Sequence, residues 1–357
     1  MAKVSILVAV YNAEKYLAQC LNSLMKQTLE DIEIICIDDA STDDSLAILH
    51  TYAQQDKRIK IVEMPQNSGS AKARNAGLKV ATGDFVAFVD SDDWVSADAF
   101  EHIYHTFVAF PITDAVLFHV KNVFPDGREE DYSMDEFEKK DGYTAFIDSL
   151  TWKIHGVYVV RKTIHLQFPY DESALSYSDD NTTRLHYLNS REVRVCDAIY
   201  YYRQHESSVT HRINLRRFDY LLANKSMKRQ LELLKESEQI LDLYEEVRWR
   251  NLIGLYMFYF LHRNELKPNE RKEGLHLLKE TWKTIEVNRL PKHLSRRFGY
   301  IPLKNSWITF RLQEELFFSL RALLRKNKEQ CLILKFLYTF SAHKMSKKYG
   351  KKSETLQ

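Results

Sequence analysis

The fold of this 357-residue chain is decided by the stretch Phe85-Val86-Ala87-Phe88-Val89-Asp90-Ser91-Asp92-Asp93-Trp94. Apolar residues run up to Val89, as in a strand buried on both faces, and three carboxylates follow within four positions. Open α/β sheets bind ligands outside the carboxyl ends of their strands. Crowded carboxylates repel one another unless a cation lies between them, and a hard divalent cation with oxygen ligands is the usual partner. Because solvated acidic turns are also common, this stretch needs support from its surroundings.

The residues upstream alternate short apolar runs with helical patterns, which is typical of a doubly wound parallel sheet. We predict strands at residues 4–10, 32–37, 59–62 and 85–90. The second strand also ends in acids, so two strands of one parallel sheet bring carboxylates to the same edge. No glycine-rich turn follows the first strand, which argues against a dinucleotide-binding Rossmann domain and against a P-loop.

The helices between these strands have candidate N-terminal caps. Asn12 follows the first strand and could cap a helix that includes Leu17 and Leu21. Ser41 and Asp44 have the spacing of a capping box at the start of the next helix.

Several segments together resemble family 2 glycosyltransferases of the GT-A fold, in the family's order and at its usual spacing. They are residues 5–12, 37–43, 67–69, 73–77 and 88–93. The resemblance implies an α/β catalytic domain at residues 1–214, with a nucleotide-binding half at 1–100 and an acceptor half at 101–214. It implies an inverting transfer of a hexose or N-acetylhexosamine from a UDP-sugar in the synthesis of cell-surface polysaccharide or lipopolysaccharide.

The resemblance also assigns the residues that hold the nucleoside. Val10 and Tyr11 would lie against the base, with the Tyr11 ring stacked on it. Asp39 would accept a hydrogen bond from the imide nitrogen of uracil, although thymine offers the same edge. Arg74 is a candidate for closing over the nucleotide, and a solvated helix arginine is the alternative interpretation.

The acidic turn after the fourth strand is implied to serve the ribose and the metal. Asp90 would contact the ribose or the water shell of the metal, and Ser91 would contact the nucleotide. Asp92, together with Asp90, would hold Mn²⁺ or Mg²⁺ against the two phosphates. Such a cation acts as a Lewis acid on the leaving group.

The general base is expected in the second half of the domain, where Asp179-Asp180 opens a predicted helix. The family carries an acidic pair at this helix start, usually Glu-Asp, whose second member deprotonates the acceptor. We therefore assign the base to Asp180 and a supporting role to Asp179. The alternative is that both acids only favour the helix N-terminus through the helix dipole. With no candidate nucleophile on the donor side, direct displacement with inversion is the expected route.

Two further segments resemble parts of the family's substrate cleft. Trp152 and Lys153 lie in a segment similar to the one that lines the acceptor site. Arg203, His205 and Ser208 lie in a segment similar to the loop that covers the diphosphate. Arg203 suits this role because its planar fork matches the geometry of a phosphate.

The overall charge of +2 hides an uneven distribution. Residues 291–357 carry 15 Lys and Arg against 4 Glu, which leaves 36 of the 51 basic and 45 of the 49 acidic residues before them. From residue 215 the pattern is helical, and residues 311–337 combine apolar and basic faces. We therefore expect residues 215–357 to form a helical C-terminal region whose basic amphipathic tail contacts an anionic membrane surface. A glycan or lipid-linked acceptor would suit such a location.

The remaining composition suggests the compartment. Four scattered cysteines without metal-type spacing predict a reducing environment. The longest apolar stretch, at residues 252–261, is shorter than the ~20 residues that a membrane span needs. The chain enters its first strand without a signal peptide. We expect a cytoplasmic protein that is peripheral at the inner face of the cell membrane.

Three other functions remain to be weighed. A nucleotidyltransferase acting on a sugar phosphate also uses aspartates at a sheet edge, but it would normally bring a glycine-rich phosphate loop after Val10. A non-catalytic module could bind nucleic acid through its tail and calcium through its acids, yet the tail has no nucleic-acid motif and the acids do not fit an EF-hand. We therefore expect no nucleic-acid partner. A non-catalytic nucleotide-binding scaffold would not need both Asp92 and Asp180.

Overall fold

The computed structural model describes residues 2–205 and 213–324. The chain divides into two compact units, the first ending at Val209 and the second beginning at Thr210. Sequence analysis placed this boundary after residue 214.

The first part of unit one alternates strands with helices, as predicted. Strands β1 to β4 span Val4–Val10, Ile32–Asp38, Ile59–Glu63 and Phe85–Phe88. Helices α1 to α3 span Leu17–Met25, Ser45–Gln55 and Ser70–Val80. Strand β1 pairs in parallel with both β2 and β4, and β2 pairs in parallel with β3. The carboxyl ends of these strands therefore lie at one edge.

The second part of unit one completes a mixed sheet of ten strands. Its remaining strands are β5 (Trp94–Val95), β6 (Thr113–Val123), β7 (Glu129–Asp131), β8 (Lys139–Asp141), β9 (Tyr158–Arg161) and β10 (Glu192–Arg203). Its helices are α4 (Ala99–Ala109), α5 (Gly142–Leu150), α6 (Lys162–Gln167) and α7 (Asp179–Leu188). The main order is β3-β2-β1-β4-β9-β6-β10-β5, with β9 antiparallel to both β4 and β6. This confirms the predicted α/β class with a mostly parallel sheet and flanking helices.

The core lies on both faces of the sheet because the central strands are apolar throughout. Every residue of β2 is buried, including Glu33 and Asp38, and β1 is buried except at Ala9. The described cysteines Cys20, Cys36 and Cys196 are free thiols.

Both predicted helix caps are wrong. Helix α1 begins at Leu17, well after Asn12, and neither α1 nor α2 has a side-chain cap. Asn12 instead adopts a φ of 50°, and its side-chain oxygen accepts a hydrogen bond from the Thr42 N–H at 2.8 Å. The Ser41 hydroxyl accepts from the Asn12 N–H at 3.1 Å. These residues cross-link the loops after β1 and β2, because the polar groups of two adjacent loops satisfy each other there.

A buried carboxylate, Glu33, connects neighbouring segments near the amino ends of the parallel strands. Glu33 on β2 accepts hydrogen bonds from the Ser5 hydroxyl at 2.5 Å and from Lys60 Nζ at 2.6 Å. It also accepts from the N–H groups of Thr82 and Gly83 before β4. Burial alone would raise the pKa of Glu33, but the hydrogen bonds from Lys60, Ser5 and Thr82 outweigh burial and lower it to about 2. The ionised Glu33 therefore ties four segments together.

The second unit is helical in its described part. Its helices are α8 (Asp219–Leu233), α9 (Glu238–His262), α10 (Pro268–Thr284) and α11 (Trp307–Leu323). Two buried indoles fix the segment before α11, since Trp249 Nε1 donates to the Tyr300 carbonyl and Trp282 Nε1 donates to the Leu303 carbonyl, both at 2.9 Å. Among the described helices, none has both the length and the apolar composition to cross a bilayer.

We predict that Glu33→Gln lowers stability at pH 7 and that this difference shrinks in acid. The pKa of Glu33 is lower in the folded chain than in the unfolded chain. The stabilisation by its charge is therefore complete above about pH 4.5 and is lost as the pH falls toward 2. Urea unfolding should show a loss of about 1–2 kcal/mol at pH 7 and a smaller loss at pH 3. Glu63→Gln, at a more exposed site on β3, is the control. A Glu33→Gln deficit that stayed constant across this range would contradict the prediction.

Candidate active site

The acidic turn, residues 90–93, follows β4 at the carboxyl edge of the sheet. Its ends are closed by a hydrogen bond from the Asp93 N–H to the Asp90 carbonyl at 3.0 Å. The Tyr200 hydroxyl on β10 donates to Asp93 Oδ2 at 2.8 Å and accepts from the Asp90 N–H at 3.1 Å. One buried phenol therefore holds both ends of the turn.

The three carboxylates of the turn have different surroundings. Asp93 is 1% exposed, and its second oxygen accepts from the Arg203 N–H at 2.8 Å, so it is part of the scaffold. Burial, together with the charges of Asp90 and Asp92, raises the pKa of Asp93 well above its usual range. The side chains of Asp90 and Asp92 are 41% and 35% exposed, and they can meet a ligand.

Arg74 on α3 joins the turn to the start of α7. Its Nη2 donates to Asp90 Oδ1, and its Nη1 lies 3.7 Å from Asp179 Oδ2. The guanidinium lies 4.3 Å from the ring centroid of Phe88 and 5.4 Å from that of Tyr170. Arg74 is only 3% exposed, which excludes the solvated helix arginine that the sequence left open.

Arg74 also has hydrogen-bonding capacity to spare. Its Nε and Nη1 are buried, and within the described residues neither has a hydrogen-bond partner. Buried donors are normally satisfied, and an exception calls for a ligand or a water. The exposed carboxylates of Asp90 and Asp179 flank these donors, so an oxygen-rich ligand entering between them would meet a fixed cation.

Burial and the neighbouring carboxylates of Asp92 and Asp179 raise the pKa of Asp90, while Arg74 opposes them. Arg74 is therefore the cation that opposes the crowding of these carboxylates.

The end of β10 brings two further predicted residues to the turn. Arg203 Nε donates to the Asp92 carbonyl at 2.7 Å, and its guanidinium lies between the rings of Tyr16 and Trp94, 4.7 and 4.6 Å from their centroids. His205 Nε2 lies 2.8 Å from Asp92 Oδ2. Arg203 thus orients the turn through its backbone, and His205 contacts the exposed carboxylate.

The predicted nucleoside residues lie at the ends of β1 and β2. The Asp39 N–H donates to the Val10 carbonyl at 2.8 Å, which joins the two strand ends. Both Asp39 oxygens accept backbone hydrogen bonds at 2.8 Å, from the N–H groups of Ser68 and Gly69. The Tyr11 side chain beside them is 48% exposed, while Val10 is buried. Asp39 therefore also shapes the loop before α3, a role that sequence analysis did not assign.

Asp179 and Asp180 open α7 and face different partners. Asp179 belongs, with Arg74 and Asp90, to the group called here the Arg74 cluster. Its Oδ1 accepts a hydrogen bond from the Asp180 N–H at 3.2 Å. Asp180 Oδ2 lies 3.7 Å from Arg184 Nη2 one turn later. The Arg184 guanidinium is buried and lies 5.9 Å from the ring centroid of Trp152. Arg184 therefore connects the predicted base to a predicted acceptor residue.

Lys153 has structural partners. Its Nζ lies 3.6 Å from both Asp135 Oδ2 and Asp148 Oδ1, and it is only 17% exposed. The preceding residue, Trp152, has a φ of 57°. Lys153 thus fixes the segment that presents Trp152.

The structure brings most of the predicted site residues to one edge of the sheet. Arg74, Asp90 and Asp179 form one cluster, and Asp92, Arg203 and His205 form another on the same turn. Ser91 lies half-buried in that turn. Ser208 lies outside the described residues. In residues 2–205 and 213–324, no group of three or more His, Cys, Asp or Glu side chains is arranged to hold a metal ion by itself.

Sequence analysis did not assign Tyr200, Arg184 or Asp93. Tyr200 stands in the run of aromatic residues before Arg203, and Arg184 stands one helical turn after Asp180. The spacing between Asp180 and Arg184 could have indicated an ion pair. The contact of Tyr200 with a turn more than a hundred residues earlier has no local signal.

Comparison with known proteins places this site in a family context. The model of the family described as Glycosyl transferase family 2 matches residues 5–165. The protein "Putative glycosyltransferase EpsH" of Bacillus subtilis is 33% identical over 256 residues, which are 68% of this chain and 73% of that protein. The poly(ribitol-phosphate) beta-N-acetylglucosaminyltransferase TarS of Staphylococcus aureus is 33% identical over 210 residues, which are 57% of this chain and 35% of TarS.

Solved structures give the same result for the fold. Residues 1–349 of S. aureus TarS, crystallised in complex with UDP-GlcNAc, align with a TM-score of 0.69 and 23% identity over 89% of this chain and 92% of that one. A complex of the same protein with UDP aligns with a TM-score of 0.65. The likeness confirms the predicted GT-A architecture with its C-terminal helical region.

We predict that Tyr200→Phe loosens the acidic turn without unfolding the chain. The loss of the hydroxyl removes one partner from the Asp90 N–H and one from the Asp93 carboxylate. Hydrogen exchange at the amides of residues 89–93 should accelerate about tenfold, in line with a loss of about 1–2 kcal/mol of local stability. Tyr256→Phe, which removes a buried hydroxyl that donates to Glu315, is the matched control and should leave these amides unchanged. Unaltered exchange in Tyr200→Phe would mean that the phenol does not hold the turn.

Proposed function

This chain belongs to glycosyltransferase family 2, and we propose that it transfers a hexose or N-acetylhexosamine from a UDP-sugar to a hydroxyl group, with inversion at the anomeric carbon. The observation that carries the proposal is the Arg74 cluster, in which one buried cation with unpaired donors lies between the acidic turn and the start of α7. A donor diphosphate and an acceptor hydroxyl would meet there.

The donor is proposed to bind along the carboxyl ends of β1, β2 and β4. Tyr11 would stack on the uracil ring, with Val10 beside it, and Asp39 would accept the imide hydrogen. Asp39 already accepts two backbone hydrogen bonds, but carboxylate oxygens have further lone pairs for this bond. Arg74, Asp90 and Ser91 would contact the ribose and the adjoining phosphate.

Mn²⁺ or Mg²⁺ is proposed at the acidic turn. Asp92 and Asp90 are the exposed carboxylates there, and two carboxylates with substrate phosphate oxygens form a donor set that suits Mg²⁺. This fits the lack of a ready-made cluster of three protein ligands in the described residues. When bound, the cation supplies Lewis-acid stabilisation of the departing diphosphate.

Asp180 is proposed as the general base. The acceptor oxygen attacks the anomeric carbon as the bond from this carbon to the UDP oxygen breaks, and the acceptor proton passes to the Asp180 carboxylate. UDP leaves with the bonding electrons. Asp179, held toward Arg74, supports the arrangement, and Arg184 positions Asp180 from the next helical turn.

Arg203, His205 and Ser208 are proposed to contact the diphosphate. Arg203 and His205 both contact Asp92 of the acidic turn, so a diphosphate bound at this turn would lie within reach of their side chains. Trp152 and Lys153 are proposed to line the acceptor site, with Lys153 acting through the segment that presents Trp152.

The acceptor is proposed to be a glycan or a lipid-linked glycan in the synthesis of cell-surface polysaccharide. TarS is named for a reaction on poly(ribitol-phosphate), which supports a polymeric acceptor. We further propose a cytoplasmic location at the inner face of the cell membrane, with the basic C-terminal tail in contact with anionic lipid. Family membership does not favour the alternatives of a nucleotidyltransferase or a non-catalytic scaffold.

We predict that Asp92→Ala abolishes transfer and that a chelator does the same to the wild type. Without the exposed carboxylate the cation loses a protein ligand, so initial rates with a UDP-sugar and a glycan acceptor should fall by at least about 10²-fold. Added Mn²⁺ should restore the chelated wild type but not the variant. Asp126→Ala, which removes an exposed carboxylate remote from the acidic turn in sequence, is the control. Full activity of the chelated wild type would contradict the metal assignment.

We predict that Asp180→Asn also abolishes transfer but leaves the binding of UDP intact. An amide cannot take the acceptor proton, and the loss of general base catalysis costs about 10²–10⁴-fold in rate. UDP affinity, measured by calorimetry, should match the wild type. Asp179→Asn is the matched variant and should retain more activity. The opposite order of the two variants would assign the base to Asp179.

A further inference from the structure

Helix α11 exposes a row of aliphatic side chains along its length. The row, called here the α11 stripe, consists of Ile308, Leu312, Leu316, Leu320, Leu323 and Leu324, each between 45% and 81% exposed. At 3.6 residues per turn these positions fall within an arc of about 160° on a helix about 25 Å long. Single exposed leucines are ordinary, but a contiguous exposed apolar surface marks an interaction site.

The two acidic residues of α11, Glu314 and Glu315, are buried or paired. Glu314 is fully buried, and burial raises its pKa to about 8. Glu315 pairs with Arg263 at 2.8 Å and accepts from the Tyr256 hydroxyl at 3.0 Å, both on α9 or its end. Among the described residues of α11, those that are exposed carry no charge.

An aromatic and cationic border lies on one side of the helix. Phe298 is 43% exposed, and its ring packs edge-on against Phe317, with centroids 5.7 Å apart. Arg321 lies over the Phe317 ring at 5.6 Å, and Arg297 lies over the Tyr300 ring at 4.3 Å. Burial and the charge of Arg297 both lower the pKa of Arg321, so an anion beside the two arginines would relieve their repulsion.

We propose that the α11 stripe rests on an anionic lipid surface, with its leucines among the acyl chains and with Arg297 and Arg321 at the level of the headgroups. An aliphatic face bordered by arginines and aromatic rings is the pattern of a helix that lies in the plane of a membrane. This contact rests on the membrane location proposed above for the C-terminal tail, and it adds the folded surface of α11 to the part of the chain that touches lipid.

The chain that follows α11 has the charge that such a surface needs. Residues 325–357 contain nine Lys and Arg against two Glu. Cations near an anionic leaflet are attracted to its headgroups, and the attraction grows with their number. These residues lie outside the described part of the chain.

A second copy of the chain is the rival occupant, and charge disfavours it. A two-fold interface places the same patch on both sides. Pairing two α11 stripes would therefore place the flanking arginines of both copies at one interface, where the exposed described residues of α11 offer no acidic partner. A lipid surface instead presents the opposite charge.

The contact is best tested with substitutions, because truncation would damage the fold. Deletion from Pro291 would remove Leu294, Tyr300, Phe310 and Phe318, which are all buried in unit two. Sequence analysis included Phe317 and Phe318 in the membrane-facing tail, but Phe318 is 1% exposed and packs beside Tyr256 and Phe260. The aliphatic positions of the stripe are therefore the ones to change.

The experiment measures flotation of the full-length chain with vesicles of phosphatidylcholine, with and without an equal part of phosphatidylglycerol. The wild type should float only with the anionic vesicles. Leu312→Gln with Leu316→Gln should weaken binding about tenfold, because two leucines no longer enter the lipid. Arg297→Gln with Arg321→Gln should weaken binding to the anionic vesicles as well.

A matched control removes aliphatic side chains of similar exposure elsewhere. Val108→Gln with Ile112→Gln changes side chains that are 58% and 57% exposed in unit one, and it should bind vesicles as the wild type does. A Leu316→Trp reporter should shift its fluorescence to the blue on anionic vesicles only. Hydrolysis of the UDP-sugar in solution should be unchanged by the α11 substitutions, so a failure of the membrane contact and a failure of the proposed reaction are distinguishable.

Two results would overturn the inference. Equal flotation of the wild type and the Leu312→Gln, Leu316→Gln variant would show that the stripe does not touch lipid. A wild-type dimer in sedimentation that this variant dissociates, without any effect on flotation, would assign the stripe to a second copy.

Discussion

The site depends on one electrostatic constraint, which is that several carboxylates must share the edge of a sheet. Burial and the carboxylates of Asp92 and Asp179 raise the pKa of Asp90, and the guanidinium of Arg74, which contacts Asp90 and lies near Asp179, opposes this shift. The charge of Arg74 is in turn buried against the rings of Phe88 and Tyr170, whose faces attract cations. Arg74 thereby links α3 to the acidic turn and to the start of α7.

The acidic turn is held by residues from both halves of unit one. Strand β4 delivers the carboxylates, while β10 supplies the Tyr200 hydroxyl that bridges the turn and the Arg203 guanidinium that holds the Asp92 carbonyl. That guanidinium also packs against the aromatic rings of Tyr16 and Trp94. The backbone of the acidic turn is therefore fixed by residues from both halves of the unit, which is the kind of preorganisation on which electrostatic catalysis depends.

The sequence predicted the sheet well because burial on both faces leaves a continuous apolar run, and β1 occupies the predicted residues. It failed at the helix starts. Asn12 and Ser41 are residue types that commonly cap helices. In the fold, however, their side chains accept hydrogen bonds from backbone N–H groups of the neighbouring loop instead of from a helix N-terminus. A local capping pattern cannot predict these hydrogen bonds between loops, because the two partners lie about thirty residues apart in the sequence. The same limit applies to Tyr200, whose partners on the acidic turn are more than a hundred residues distant.

Helix α11 shows why the face of an apolar helix cannot be read from its sequence. Leucines and phenylalanines occur around much of its circumference, so periodicity alone does not choose which side packs inward. The choice is made by size and by the polar residues: Phe310 and Phe318 fill space beside the aromatic rings of α9, and Glu314 is carried inside with them. Burying a carboxyl group is costly unless it is protonated or well bonded. The raised pKa of Glu314, about 8, favours its protonated form at neutral pH, so the fold can bury it and leave six aliphatic side chains exposed along the described part of the helix, the surface proposed above to meet lipid.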